Sequence, residues 1–144
     1  MTRRWVLGID IGGTGSRATL TNGDRTLSLS GDRAHVAGTG SSIPDIAAGL
    51  MRSSAERWPV EWSALAAVGV GATGAATLVG DPTGAVDRLA ALSAGASVAL
   101  ATDAVTTHLG ALGGRAGAIV AVGTGSIGFA TDLAAIWHRV DGWG

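Results

Sequence analysis

Two glycine-rich segments and one isolated acid carry most of the chemical interest of this chain. Asp10-Ile11-Gly12-Gly13-Thr14-Gly15 follows the apolar run Trp5-Val6-Leu7-Gly8-Ile9. Glycines there let backbone amides come close to an anion, and Thr14 adds a hydroxyl donor. Asp10, at the end of the apolar run, is placed to hold a magnesium ion through water, because that metal keeps its hydration and takes few carboxylates. Taken alone, the segment is explained equally well as an ordinary hairpin with an exposed Asp.

Val122-Gly123-Thr124-Gly125-Ser126 repeats the pattern near the far end of the chain. Two such turns in one domain can grip a phosphate chain from both sides with amides and hydroxyls, the preorganised donor arrangement that suits phosphoryl transfer. Two unrelated tight turns in an α/β protein are the alternative. Asp103 lies between Thr102 and Ala104, where an apolar run passes into a helical pattern. Position alone favours a helix N-cap. A catalytic reading requires that the acid share a sheet edge with both glycine turns, within reach of a substrate hydroxyl.

Several other chemistries are excluded or disfavoured. A chain without lysine has no Walker A motif, and the Asp10 segment opens a strand rather than a helix, unlike a dinucleotide fingerprint. His35, His108 and His138 lack metal-ligand spacing, and His108 is expected on a helix surface. The absence of Cys rules out disulfides, Cys-ligated zinc and Cys-held iron–sulfur clusters. Net charge is −1, all ten basic residues are Arg, and no basic run appears, so nucleic acid is not an expected partner. Apolar runs fall far short of the roughly 20 residues needed to cross a bilayer, and no signal-peptide pattern opens the chain. No membrane association and a cytoplasmic location are the expectations.

The elements that must position these residues follow from the periodicity. With 144 residues, 47% of them apolar, the chain is expected to form one domain with a sizeable core. Trp5 to Asp10, Ser16 to Thr21 and Arg25 to Ser30 read as an antiparallel three-stranded meander, turned at Asn22-Gly23-Asp24. Residues 31–42 read as a surface loop. A helix follows from Ser42, Pro44 and Asp45 and stops before Pro59, where Trp58 and Trp62 read as packing residues. Leu65 to Gly71 is a strand. Asp81-Pro82 caps the next helix, Ser97 to Ala101 is a strand, and a helix runs from Asp103 to Leu112, stopped by Gly113-Gly114. Strands at Ala118 to Val122, Ile127 to Thr131 and near Ile136 to Val140 complete the order, with no internal repeat evident. A mixed sheet with helices on both faces is the economical packing, and it gathers Asp10, residues 71–73, Asp103 and Gly123 at strand ends where α/β proteins bind ligands.

The two loops together resemble the phosphate-1 and phosphate-2 motifs of the actin-like ATPase superfamily. Within it, Ala101-Thr102-Asp103-Ala104, Gly123-Thr124-Gly125-Ser126 and Asp141-Gly142-Trp143-Gly144 resemble the N-acetylglucosamine kinase-like family, also called BadF/BadG-type ATPases. The resemblance covers essentially the whole chain. It implies a ribonuclease H-like α/β domain over residues 1–144: a mixed five-stranded sheet with helices on both faces, plus extra strands at the C-terminal end. It implies pairing with a second, adenosine-binding domain, ATP and Mg2+ in the cleft between them, and a homodimer of the full-length protein. By the same resemblance, Asp10 helps to hold magnesium, while Gly12, Gly13, Thr14, Gly123, Thr124, Gly125 and Ser126 contact phosphates. Asp103 is the general base that takes a proton from a sugar hydroxyl, the 6-hydroxyl for the family's usual substrate. Ser41, Ser42 and Thr73 lie on the sugar side with Asp103, Thr124 and Gly125, although members of the family carry Asn where this chain has Ser41 or Ser42. The implied activity is ATP-dependent phosphorylation of an amino sugar such as N-acetylglucosamine or glucosamine. The family continues past Gly-Trp-Gly with a Gly-Asp-Glu-Gly-Ser segment, so residues 1–144 alone are expected to turn over little or no ATP.

Three other readings compete. Sugar kinases of the repressor/open-reading-frame/kinase family share the Asp-x-Gly-Gly-Thr opening but show an Asn-Asp pair where this chain has Thr102-Asp103. ATPase activators of 2-hydroxyacyl-CoA dehydratases use a bridging iron–sulfur cluster, against which the absence of Cys counts. A sensor that binds sugar or nucleotide without turnover would not need both Asp10 and Asp103.

Overall fold

A computed structural model describes residues 4–37, 40–123 and 125–141. Thr124 and the Gly142-Trp143-Gly144 segment lie outside the described residues.

The chain opens with the expected meander: β1 (Trp5–Ile11), β2 (Ser16–Thr21) and β3 (Thr26–Gly31), paired antiparallel in that order. The turn between β2 and β3 is built by Asn22, whose Oδ1 accepts from the amides of Asp24 (3.1 Å) and Arg25 (2.9 Å), with Gly23 at a φ of 92°. This is an Asx turn that needs a residue tolerant of positive φ. The expected loop holds a small hairpin, β4 (Val36–Ala37) and β5 (Gly40–Ser41). Helix α1 (Ile43–Arg57) follows, with Pro44 in its first turn.

Two four-residue helices, α2 (Pro59–Trp62) and α3 (Ala75–Leu78), flank strand β6 (Leu65–Ala72). Four residues are too short for any periodicity to announce them. Next come α4 (Pro82–Ala90), β7 (Ser97–Thr102) and α5 (Asp103–Leu112). Asp81 caps α4 as expected, its Oδ1 accepting from the Gly84 amide at 2.9 Å. The chain leaves α5 through Gly113 and Gly114, both left-handed.

The main sheet has the order β3-β2-β1-β6-β7, with β6 and β7 parallel to β1. On one face β1 turns Trp5, Leu7, Ile9 and Ile11 inward, in line with Val68 and Val70 of β6, and α1 covers them with Ile43, Ala47, Leu50 and Met51. Burial of such a side chain stabilises the fold by about 1.5–3 kcal/mol. Trp62 is buried in this core and Trp58 packs against it, which bears out their reading as packing residues. An ion pair between Arg88 of α4 and Asp45 of α1 ties the covering helices together.

The other face is covered unequally. Helix α5 packs on β6 and β7, whereas the outer strands present a polar surface on which Thr19 bonds Ser28 (3.3 Å) and Thr21 bonds Thr26 (3.2 Å). Contact between α5 and β6 is close because Gly71 has no side chain. A Cβ there would fall 2.9 Å from the Thr106 Cβ and 3.0 Å from its Cγ2, and nearer still to Oγ1.

The last three strands do not join this sheet. β8 (Gly117–Val122), β9 (Ser126–Thr131) and β10 (Trp137–Asp141) form a separate antiparallel meander in the order β10-β9-β8. Its plan repeats that of β1–β3, including a glycine turn between the first two strands. Beyond the glycine turn, the repeat is invisible in sequence because the two meanders share a topology rather than a residue pattern. Helix α5 also packs on β8 and β9, so it is wedged between the two sheets. Among the described residues no helix is long and apolar enough to cross a membrane.

Candidate functional site

Backbone bonds at the strand ends bring the candidate residues together. The Gly12 amide donates to the Gly15 carbonyl (2.9 Å) and closes the first glycine hairpin. The Ala34 amide donates to the Gly12 carbonyl (2.9 Å), and the Thr73 amide donates to the Ile11 carbonyl (3.0 Å), drawing the end of β6 against the end of β1. In the second meander the Gly123 amide donates to the Gly125 carbonyl (2.7 Å). The amides of Gly12 and Gly123 therefore close their own turns, and donors for an anion must come from the turn tips. A Cβ at Gly13, Gly123 or Gly125 would meet nothing within 4 Å, so the tips face open space.

These ends line one cavity of about 860 Å3. Asp10, Gly12, Gly13 and Thr14 come from the first hairpin, Thr73, Gly74 and Thr77 from the end of β6 and α3, and Thr102, Asp103 and Thr107 from β7 and α5. Gly123, Gly125, Ser126 and Arg139 come from the second sheet. All four strand ends expected to converge do so, and each sheet supplies a wall.

Asp103 is held more firmly than a surface acid. It is half-buried, its Oδ2 accepts from the Thr73 hydroxyl at 2.8 Å, and its Oδ1 accepts from the Ala104 amide at 2.9 Å. The helix boundary differs from a plain cap: Thr102, with extended backbone, is the cap residue, and Asp103 is the first residue of α5. A carboxylate there is favoured by the helix dipole, so one position satisfies both the structural and the chemical role. Asp10 is exposed at the cleft floor, beside Gly71 and Arg17 in the sheet register.

Ser41 and Ser42 are not brought to this cleft. The Ser41 Oγ accepts from the Ile43 amide (3.2 Å). The Ser42 Oγ accepts from the His35 amide (2.9 Å) and donates to the His35 carbonyl (3.0 Å), fastening His35 to the start of α1 instead of capping the helix. Ser42 lines a second cavity of about 830 Å3, between β3 and α1.

His108 is a correction. It is fully buried rather than on a helix surface: its Nε2 lies 3.1 Å from the Gly117 carbonyl, and its ring meets Phe129 edge-on at 5.5 Å. The helix face that carries it is the one covered by the second sheet, a contact no local pattern reveals.

Arg139 was not among the residues singled out in the sequence. Among the described residues that line the cleft it is the only cationic one. Alternation along β10 names its neighbours only once the register, Arg139 opposite Phe129, is known.

The chemistry of the cleft fits a nucleotide phosphate chain: two glycine-rich turns, several hydroxyls, and a cation. Among the described residues no group of three His, Cys, Asp or Glu converges. A donor set this sparse suits a largely hydrated magnesium ion that takes one carboxylate and phosphate oxygens, rather than a protein-caged metal.

No protein-family model matches the chain, and no curated protein does. Solved structures do match. The candidate N-acetylglucosamine kinase of Chromobacterium violaceum is 31% identical, with a TM-score of 0.67, over 98% of this chain and 50% of its own. The candidate N-acetylglucosamine kinase of Porphyromonas gingivalis is 18% identical with a TM-score of 0.72, over 96% and 48%. The ethanolamine utilization protein EutJ of Carboxydothermus hydrogenoformans is 16% identical with a TM-score of 0.57, over 100% and 54%. This chain spans about half the length of each of these three structures. Its fold is that of the actin-like ATPases, a ribonuclease H-like α/β architecture on a mixed five-stranded sheet.

Proposed function

We propose that this chain is the phosphate-gripping and acceptor-activating part of an ATP-dependent sugar kinase of the N-acetylglucosamine kinase-like family, with an amino sugar such as N-acetylglucosamine or glucosamine as acceptor. The observation that carries the reading is the Asp103 carboxylate, oriented by Thr73 in the same cleft that both glycine hairpins line. The 31% identity to the candidate N-acetylglucosamine kinase of Chromobacterium violaceum supports the choice of kinase. A further domain would carry the adenosine site.

Bound ATP with its magnesium ion supplies the electrophilic γ-phosphate. Asp103 performs the protein's share of the chemistry. With Thr73 donating to Oδ2 and Ala104 to Oδ1, the carboxylate is fixed in rotamer while each oxygen keeps a lone pair for a substrate proton. As the sugar oxygen would bond to the γ-phosphorus, the bond from that phosphorus to the bridging oxygen breaks and ADP leaves, while Asp103 accepts the hydroxyl proton and so makes the sugar oxygen nucleophilic. Thr14 and Ser126 offer hydroxyls, and the tips at Gly13 and Gly125 offer amides, to charge that develops on phosphate oxygens. Asp10 would hold the metal through water.

The test is sugar-phosphate formation over a panel of amino sugars, in the protein that carries this chain as its N-terminal half. Asp103→Asn is expected to lose about 10²- to 10⁴-fold in rate while retaining ATP binding. Wild-type rates in the variant would remove Asp103 as base, and failure of every sugar to stimulate ATP consumption would end the kinase reading.

A further inference from the structure

A triphosphate brings several negative charges into a cleft whose own carboxylates, Asp10 and Asp103, repel it. Neutral amides and hydroxyls orient phosphates but do not balance that charge, and a magnesium ion offsets only part of it. Further compensation has to come from a cationic side chain. The chain contains no lysine, and the wall of the cleft carries Arg139. This residue stands on β10, opposite Phe129 in the register, and Phe129 packs in turn on His108 of α5. Its backbone is therefore fixed relative to the helix that begins with Asp103, while its side chain is exposed to the cleft. A guanidinium suits the task because its planar fork binds two phosphate oxygens at once and stays charged at any working pH.

Resting on the nucleotide reading above, we propose that Arg139 is a phosphate-contacting residue, clamping the polyphosphate from the second-sheet wall while the Asp10–Thr14 hairpin holds it from the first. The residues expected from the sequence to contact phosphate on that wall, Gly123, Thr124, Gly125 and Ser126, supply no charge.

The test is calorimetric binding of inorganic tripolyphosphate, ATP with magnesium, and adenosine to the same protein as in the sugar-kinase test, at low and moderate salt. Arg139→Met keeps the aliphatic stem and removes the charge, Arg139→Lys keeps the charge, and Arg52→Ala on the exposed side of α1 is the control. Arg139→Met is expected to weaken tripolyphosphate and ATP by roughly 10- to 100-fold, the effect of one charge-assisted hydrogen-bonding pair, and to flatten the salt dependence. Adenosine affinity, where measurable, stays unchanged. Arg139→Lys retains a large part of the affinity, and Arg52→Ala matches wild type. Undiminished tripolyphosphate and ATP binding in Arg139→Met overturns the assignment. If Thr14→Ala weakens both ligands in that event, the nucleotide reading stands without Arg139. Absence of ATP and tripolyphosphate binding in the wild-type protein overturns both.

Discussion

Replacing Gly71 with alanine probes how the fold holds Asp103 in place. The added methyl would sit 2.9 Å from the Thr106 Cβ and 3.0 Å from its Cγ2, and closer to Oγ1. Neither partner yields easily: Gly71 is in β6 between β1 and β7, and Thr106 is on α5, its Oγ1 donating to the Asp103 carbonyl at 3.1 Å. The clash involves a Cβ and cannot be relieved by rotating a side chain, so α5 must move off the sheet. Overpacking of this kind costs about 1–3 kcal/mol, which for a chain of this size lowers the melting temperature by about 3 to 10 °C. Thr106→Gly makes room at a propensity cost of up to about 1 kcal/mol. The double variant Gly71→Ala with Thr106→Gly is then less destabilised than the sum of the singles, a coupling of about 1–2 kcal/mol. Thermal and urea denaturation of the four proteins measures it. A Gly71→Ala melting within 1 °C of wild type, or strict additivity in the cycle, would show that α5 does not rest on β6 as described.

Gly128→Ala offers a contrast, since its Cβ would meet the Val140 Cγ2 at 2.6 Å, but Val140 is 66% exposed and can turn away. Its cost is expected below about 1 kcal/mol by the same denaturation assay. At Asp132 the amides of Ile136 and then Ala134 donate to the carboxylate and hold its pKa below the usual carboxylate range. A pKa lower in the folded state means that the stabilisation of the β9–β10 turn is present above the unfolded value, about 3.9, and is lost as pH falls through the folded one. Amide exchange at Ala134 and Ile136 is therefore expected to accelerate in that acid window, and Asp132→Asn to remove the dependence.

The parts legible in sequence are those fixed by neighbours along the chain. The meander, the Asp81 cap, the glycine stop after α5 and the alternation of β1 each depend on a few consecutive residues. The meeting of Asp10, Thr73 and Asp103 was readable too, because β1, β6 and β7 are parallel and send their carboxyl ends to one edge, whereas Gly123 reaches the same cleft from the second sheet. What could not be read depends on pairings between distant segments. Ser42 looks like a helix cap, but the His35 backbone takes its hydroxyl. His108 looks like a surface residue until β8 and β9 are laid over α5. Arg139 acquires a place in the cleft only through the register of β10, and the separation of the last three strands into their own sheet follows from which edges pair.

That separation has a practical consequence for handling the polypeptide. The second sheet leaves the long side of β8 without a neighbour among the described strands, and β8 reads Gly-Ala-Ile-Val-Ala-Val, with no charge and no proline. Val120 and Val122 are 75% and 80% exposed on it. Such a strand is a template for adding another of its own kind, and this six-residue edge is where self-association of the isolated chain is expected to begin. A single lysine at Val120, which does not line the cleft, is the smallest change that would blunt it.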